Sequence, residues 1–268
     1  ASKGRLSGRV DTDFYLSNSV YYSAYPYAAY EGTSAVNTVP TGPNISGVFI
    51  EQAFLDWSIN DSMSVDAGAF NSNLGWEKED TVDLYQTSHG QIYNFFNAQT
   101  SMYGNNVAGA ALNGHYQNIS GRVAMLNDLG DAQGKNSLLI QASADIVNGL
   151  NVAGSFVTQH AQAGNMLDVN STYRRGPLVV GGEFVTAEHL LNYGWGVTAH
   201  YDLTSQYGVT GRIDYLNASN NSFNNTVSYT VDGIWNALED LTLRVEYRAD
   251  DNGSWNNRLT LQAVAYYL

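Results

Sequence analysis

The sequence predicts an all-β protein: a transmembrane antiparallel up-and-down β-barrel of about fourteen strands, with twelve or sixteen as the alternatives. Three observations carry this. Apolar and polar residues alternate with period two through almost the whole chain, and helical periodicity appears in one place only. Connections alternate between short and long. Aromatic residues of the outward-facing parity gather at the two ends of the strands, as belts at two membrane interfaces would. The whole chain, 1–268, is expected to form one barrel domain with long outer loops at 20–45 and 76–106.

The first strand is expected from Arg5 to Ser19, with Leu6, Val10, Phe14 and Leu16 on one face and Arg9, Asp11 and Asp13 on the other. Ser46–Asn60 and Met63–Gly75 follow, joined at Asn60-Asp61. The second of these fourteen segments is impure, with Glu51 on the presumed outer face and Phe54 inside. Val107–Tyr116 meets Ile119–Asp128 across Gln117-Asn118. Leu138–Val147 meets Leu150–Gln162 across Asn148-Gly149, a strong hairpin signal because both central residues tolerate positive φ. Met166–Arg175 and Leu178–Glu188 flank Gly176-Pro177. Tyr193–Leu203 and Tyr207–Asn217 flank Thr204-Ser205-Gln206, and Asn224–Asn236 leads into Leu241–Asp250 and Arg258–Leu268. The last strand takes Leu259, Leu261, Ala263, Ala265 and Tyr267 outward, with the opposite parity (Val264, Tyr266, Leu268) left open. It is expected to pair with the first strand, because a sheet in lipid must leave no edge unpaired.

Composition excludes several classes. The net charge of -13, with three Lys against nine Arg, leaves no basic stripe for nucleic acid. Zero Cys removes thiolate metal sites and disulfides. No run of eighteen apolar residues is present for a membrane helix. A start at Ala1 without a leader pattern is what a mature exported chain would show. "DDNGSWNNR" lacks the spacing and terminal Glu of a calcium loop. No cofactor and no metal are expected. The five His (His89, His115, His160, His189, His200) stand in no hydrolase signature, so no enzyme is predicted, an outer-membrane hydrolase being the least favoured alternative.

Charge among strand residues falls on the parity assigned to the lumen. An Arg facing lipid at mid-bilayer costs roughly 2–4 kcal/mol, so the placement is what a bilayer demands. The candidate pore-lining residues in the first half are Arg9, Asp11, Asp13, Asp66, Arg122, Asp145 and Arg174. Those in the second half are Glu183, Asp202, Arg212, Asp214, Arg244, Glu246 and Arg248. These charges serve equally as structural ion pairs or as tuners of permeation, the acid excess favouring cations. The segment from Glu77 to Tyr103 breaks the strand rhythm and is too apolar for a disordered loop. It is expected to be partly helical and to fold into the barrel mouth, with Tyr85, His89, Tyr93, Phe95 and Phe96 as constriction candidates. Packing over the outer rim or against a neighbouring protomer is the alternative.

"DAGAFNSNLGWE" (66–77) and "LRVEYRADDN" (243–252) resemble the OmpL-like β-barrel porin family of Gram-negative outer membranes. The residues that carry the resemblance are Gly68, Phe70, Gly75, Trp76 and Glu77. It implies passive transport and transfers no binding residue. The expectation is therefore a bacterial outer-membrane porin, allowing passive diffusion of small hydrophilic solutes and ions with a weak cation preference. A plugged barrel serving as a surface-binding or structural protein is the alternative. The implied partners are outer-membrane lipid and the solutes, with monomer and homo-oligomer both open.

Overall fold

A computed structural model describes residues 5–16, 45–78, 84–99, 106–127, 136–158, 163–219 and 224–265. One antiparallel sheet runs through fourteen strands in chain order, each bonded to the next. Its first seven strands are β1 (Arg5–Leu16), β2 (Ile45–Asn60), β3 (Met63–Asn71), β4 (Asn106–Tyr116), β5 (Ile119–Leu126), β6 (Ser137–Val147) and β7 (Leu150–Val157). The remaining seven are β8 (Met166–Arg175), β9 (Leu178–Ala187), β10 (Leu191–Asp202), β11 (Tyr207–Ala218), β12 (Thr226–Leu238), β13 (Leu241–Asp251) and β14 (Trp255–Ala265). Among the described residues one helix, α1 (Gln91–Gln99), interrupts the series. The strand count agrees with the expectation. The expected pairing of β14 with β1 does not occur among the described residues. The proposed outer loop 20–45 lies outside the described residues except for its last position.

Alternation sets the two faces. Val123, Val197, Val231, Val245, Leu259 and Leu261 are all exposed on the outer face, while Arg212, Glu246 and Arg248 are buried on the inner one. Apolar side chains of this kind gain roughly 1.5–3 kcal/mol each on leaving water, so a continuous outward apolar face calls for lipid. Leu259 and Leu261 outward and Val264 buried decide the parity of β14 as far as Ala265; Tyr266, Tyr267 and Leu268 lie outside the described residues. Rings cap the outer face at both ends: Tyr207 stacks on Trp235 near the short turns, and Phe184 stacks on Tyr193 near the long loops.

The impurity of β2 has a geometric cause. Asp11 pairs with Gln52 and Thr12 with Ile50, so Glu51 is an extra residue without a partner in the ladder. This β-bulge reverses the parity of the strand. Ile50 is outward above it and Gln52 is buried inward below it, although two residues apart would otherwise share a face. Phe54 points in with Gln52 and meets Phe70 edge-on at 6.4 Å.

The strand expected to reach Gly75 ends at Asn71. Asn71 Oδ1 accepts from Asn73 N and Ser72 Oγ from Leu74 N, two local turns that replace ladder bonds. Asn73 (φ 52°) and Gly75 (φ 85°) both take the left-handed region. The chain thereby leaves the wall and enters the interior. There α1 packs into an apolar cluster that includes Phe70, Leu74, Ile92, Phe95, Phe96 and Met166.

Candidate permeation site

The interior is built from two walls and the segment between them. Residues 84–90 have no regular structure, so their backbone groups need partners from elsewhere. The wall β10–β13 supplies them. Arg244 Nη2 donates to Leu84 O (2.9 Å) and its Nη1 to Gln86 O (3.2 Å). The Thr210 hydroxyl donates to Tyr85 O. Arg212 Nη1 donates to Ser88 O (2.6 Å), while Arg212 Nη2 and Arg248 Nη1 both donate to His89 O (3.1 and 2.7 Å). In the other sense, Thr87 N donates to Asp232 Oδ2 (2.7 Å) and Ser88 N to Glu246 Oε2 (2.8 Å). Arginine's planar fork reaches two carbonyls from separate nitrogens in a fixed geometry, which lysine's single compact ammonium does not reproduce.

Glu77 ties the segment to itself and to the wall. It accepts from Gln86 Nε2 and from Gly90 N, both at 2.7 Å, and lies 3.6 Å from Arg212 Nη1. Burial pushes its carboxyl up. The His89 ring 3.5 Å away, the Arg212 charge and the Gly90 N–H together outweigh burial and hold it below the usual carboxylate value of 4.5. Arg212 also pairs with Asp214 at 2.8 Å. His89 stacks on Tyr93 at 3.9 Å, which ties residues 84–90, a strap across the interior, to α1.

Trp76 fixes the entry to this segment. Its indole Nε1 donates to Thr172 Oγ1 (2.7 Å), its backbone N donates to Glu183 Oε1 (3.2 Å), and its ring lies on Gly181.

The remaining candidates distribute as follows. Asp66 pairs with Arg122 at 3.0 Å, and Arg122 sits 4.5 Å above the Phe70 ring. Arg9 pairs with Asp11 at 2.6 Å on β1, away from the strap. Asp145 is exposed near a short turn and accepts from Asn151. Arg174 donates to the Tyr85 hydroxyl at 2.6 Å. Asp202 meets His200 Nε2 at 3.1 Å, and the His200 ring lies 4.7 Å from Tyr85. Phe95 and Phe96 are buried among apolar residues. The side chain of Asp13 lies outside the described residues. Arg212, Asp214, Arg244, Glu246 and Arg248 are thus brought together beneath the strap, whereas Arg9, Asp11 and Asp145 stand apart from it.

Gln86, Thr87 and Ser88 are not among the expected constriction residues, and Glu77 carries the family resemblance without an expected structural role. Their signal was indirect: a wall with so many buried charges needs a partner, and the aperiodic polar stretch "QTSHG" supplies it.

An interior lined by charge inside an apolar outer face defines the class: an outer-membrane β-barrel. The family described as "Putative beta-barrel porin-2, OmpL-like" matches residues 21–262, and the chain belongs to it. It is an outer-membrane porin in that general sense. Among solved structures, a loop-deletion form of OmpT, an outer membrane protein of Vibrio cholerae, matches at 12% identity with a TM-score of 0.61, over 82% of this chain and 81% of that one. A triple-mutant porin of Rhodopseudomonas blastica matches at 12% identity and 0.60, over 84% and 81%. At this identity the likeness speaks for the fold. No curated protein matches the sequence.

Proposed function

We propose that the barrel passes small hydrophilic solutes and ions by passive diffusion, and that the strapped segment 84–99 narrows its lumen. The observation that carries this reading is the docking of residues 84–90 onto the β11–β13 wall through Arg212, Arg244 and Arg248, with Arg174 of β8 holding the Tyr85 hydroxyl. The opposite wall, β2–β7, keeps a polar cavity of about 610 Å³. A weak cation preference follows from the short-turn end, where Asp61, Asp145, Asp202, Glu239 and Asp240 outnumber Arg5, Arg174 and Arg175 among the described residues. In a planar bilayer with a salt gradient, discrete current steps with a reversal potential on the cation side are the expected result. An anion-side potential would overturn the preference.

A second reading has its own support: the apolar cluster around α1 fills the long-loop half of the β3–β9 side, as a plug would. The inserted barrel would then give no steps at all.

The chain is read as a channel and not an enzyme. Thr210, His200 and Asp202 do form a chain of contacts, with Thr210 Oγ1 2.9 Å from His200 Nδ1. The Thr210 hydroxyl is buried and gives its proton to Tyr85 O, so it serves the strap and is not free to attack a substrate.

A further inference from the structure

The strap leaves the cavity on the β2–β7 wall open to the short-turn end, and its lining has a distinct chemistry. Serine hydroxyls and side-chain amides dominate: Ser64, Asn113, Ser120, Gln141, Ser143 and Asn151 all face it. The amides are held in place by their own nitrogen atoms. Asn113 Nδ2 donates to Asp66 (2.8 Å), Gln141 Nε2 to Asn73 O (3.1 Å) and Ser155 Oγ (3.0 Å), and Asn151 Nδ2 to Asp145 (2.9 Å). Their carbonyl oxygens, and the hydroxyls of Ser120 and Ser143, have no partner among the described residues.

Charge here is mixed and mostly paired. Asp66 pairs with Arg122 and lies opposite Asp56, Lys78 and Asp61 are of opposite sign, and Asp145 at the rim holds Asn151. The acceptors left open in the lining are uncharged amide oxygens and hydroxyls. A ring of fixed acceptors and rotatable hydroxyls is complementary to a molecule with many hydroxyls, each able to donate and accept. The volume of about 610 Å³ lies in the range of small-ligand sites and admits one or two sugar rings.

We propose that this vestibule is a binding site for an uncharged polyhydroxylated solute, a hexose or a disaccharide. This names a substrate class for the porin reading and rests on it for its physiological meaning. Binding is weak, as passage requires: hydroxyls exchange water for amide oxygens with little net gain.

The test is isothermal titration of the refolded full chain in detergent micelles with glucose and with sucrose, beside single-channel recording of the same preparation. The expected result is saturable millimolar binding of at least one sugar, weakened roughly 5-fold per lost hydrogen bond in Ser120→Ala/Ser143→Ala and in Gln141→Leu. The serine pair makes no structural hydrogen bond, so that variant tests recognition apart from folding. Absence of saturable heat with both sugars, or unchanged affinity in the serine variant, overturns the proposal. Current steps without sugar binding leave the porin reading standing and remove the site. Sugar binding without current steps supports the site and removes the porin reading.

Discussion

The indole of Trp76 lies so close over Gly181 that a Cβ on Gly181 would fall 1.9 Å from Trp76 Cε2. The contact explains why a family-like Gly-Trp-Glu sequence works where it stands. Gly75 turns the chain with positive φ, Trp76 inserts against a strand that has no side chain at that point, and Glu77 is delivered to the strap. Gly181→Ala therefore displaces the ring and breaks its bond to Thr172. The expected cost is about 1–3 kcal/mol of overpacking, read as a lower urea midpoint of unfolding in lipid vesicles and a red-shifted tryptophan emission. An unshifted spectrum with unchanged stability would contradict the close contact.

Arg244 bridges Leu84 O and Gln86 O with one planar group. Arg244→Lys keeps the charge and loses the fork, so it tests geometry apart from electrostatics. The strap should become accessible to a protease acting within residues 84–90, while the heat-modifiable gel mobility of the folded barrel is retained. Equal cleavage rates in the two proteins would show that charge alone holds the segment.

Glu77 gives the strap a pH dependence. Its carboxyl is held below 4.5 in the folded state, so its contribution is fully present above that value and is lost as pH falls through the lower, folded one. The Glu77-dependent part of the conductance should be unchanged from neutral pH down to about 4.5 and be lost in stronger acid. Glu77→Gln should lack that component of the change. Superimposable titrations of the two proteins would remove Glu77 from the account.

Deleting Glu51 tests the bulge. Without the extra residue, Ile50 and Gln52 become adjacent, and a regular strand already turns adjacent residues to opposite faces, so Ile50 stays outward and Gln52 inward without a bulge. Heat-modifiable folded protein at close to the wild-type yield is the expected outcome. A marked fall in yield would mean that the bulge itself, and not the parity it sets, is required.

The wall was legible in the sequence because a bilayer punishes every misplaced residue: alternation in β4–β13 and hairpins such as Asn148-Gly149 leave little freedom. Glu51 looked like a defect since a bulge is a property of two paired strands, and one strand read alone does not show it. The end of β3 was hidden for a related reason. "FNSNLGW" alternates well enough for a strand, but Asn71 and Ser72 bond their own backbone instead. Charges on the inner parity were visible as a row, yet their partners were not. Arg212, Arg244 and Arg248 bind main-chain carbonyls, and carbonyls have no identity in a sequence. The apolar inner residues Leu126, Leu139 and Met166 likewise make sense only against Phe95 and Phe96 of α1.

In the proposed function, the arginines of β11 and β13 hold the strap and so set the width of the lumen. Single-channel conductance of Arg212→Ala/Arg244→Ala, compared with the wild type at the same salt concentration, tests it most directly. A larger and noisier step in the variant is the predicted result, because a released segment leaves more of the lumen to solvent. A folded, inserted variant with the same step size and the same ion selectivity as the wild type would contradict the account.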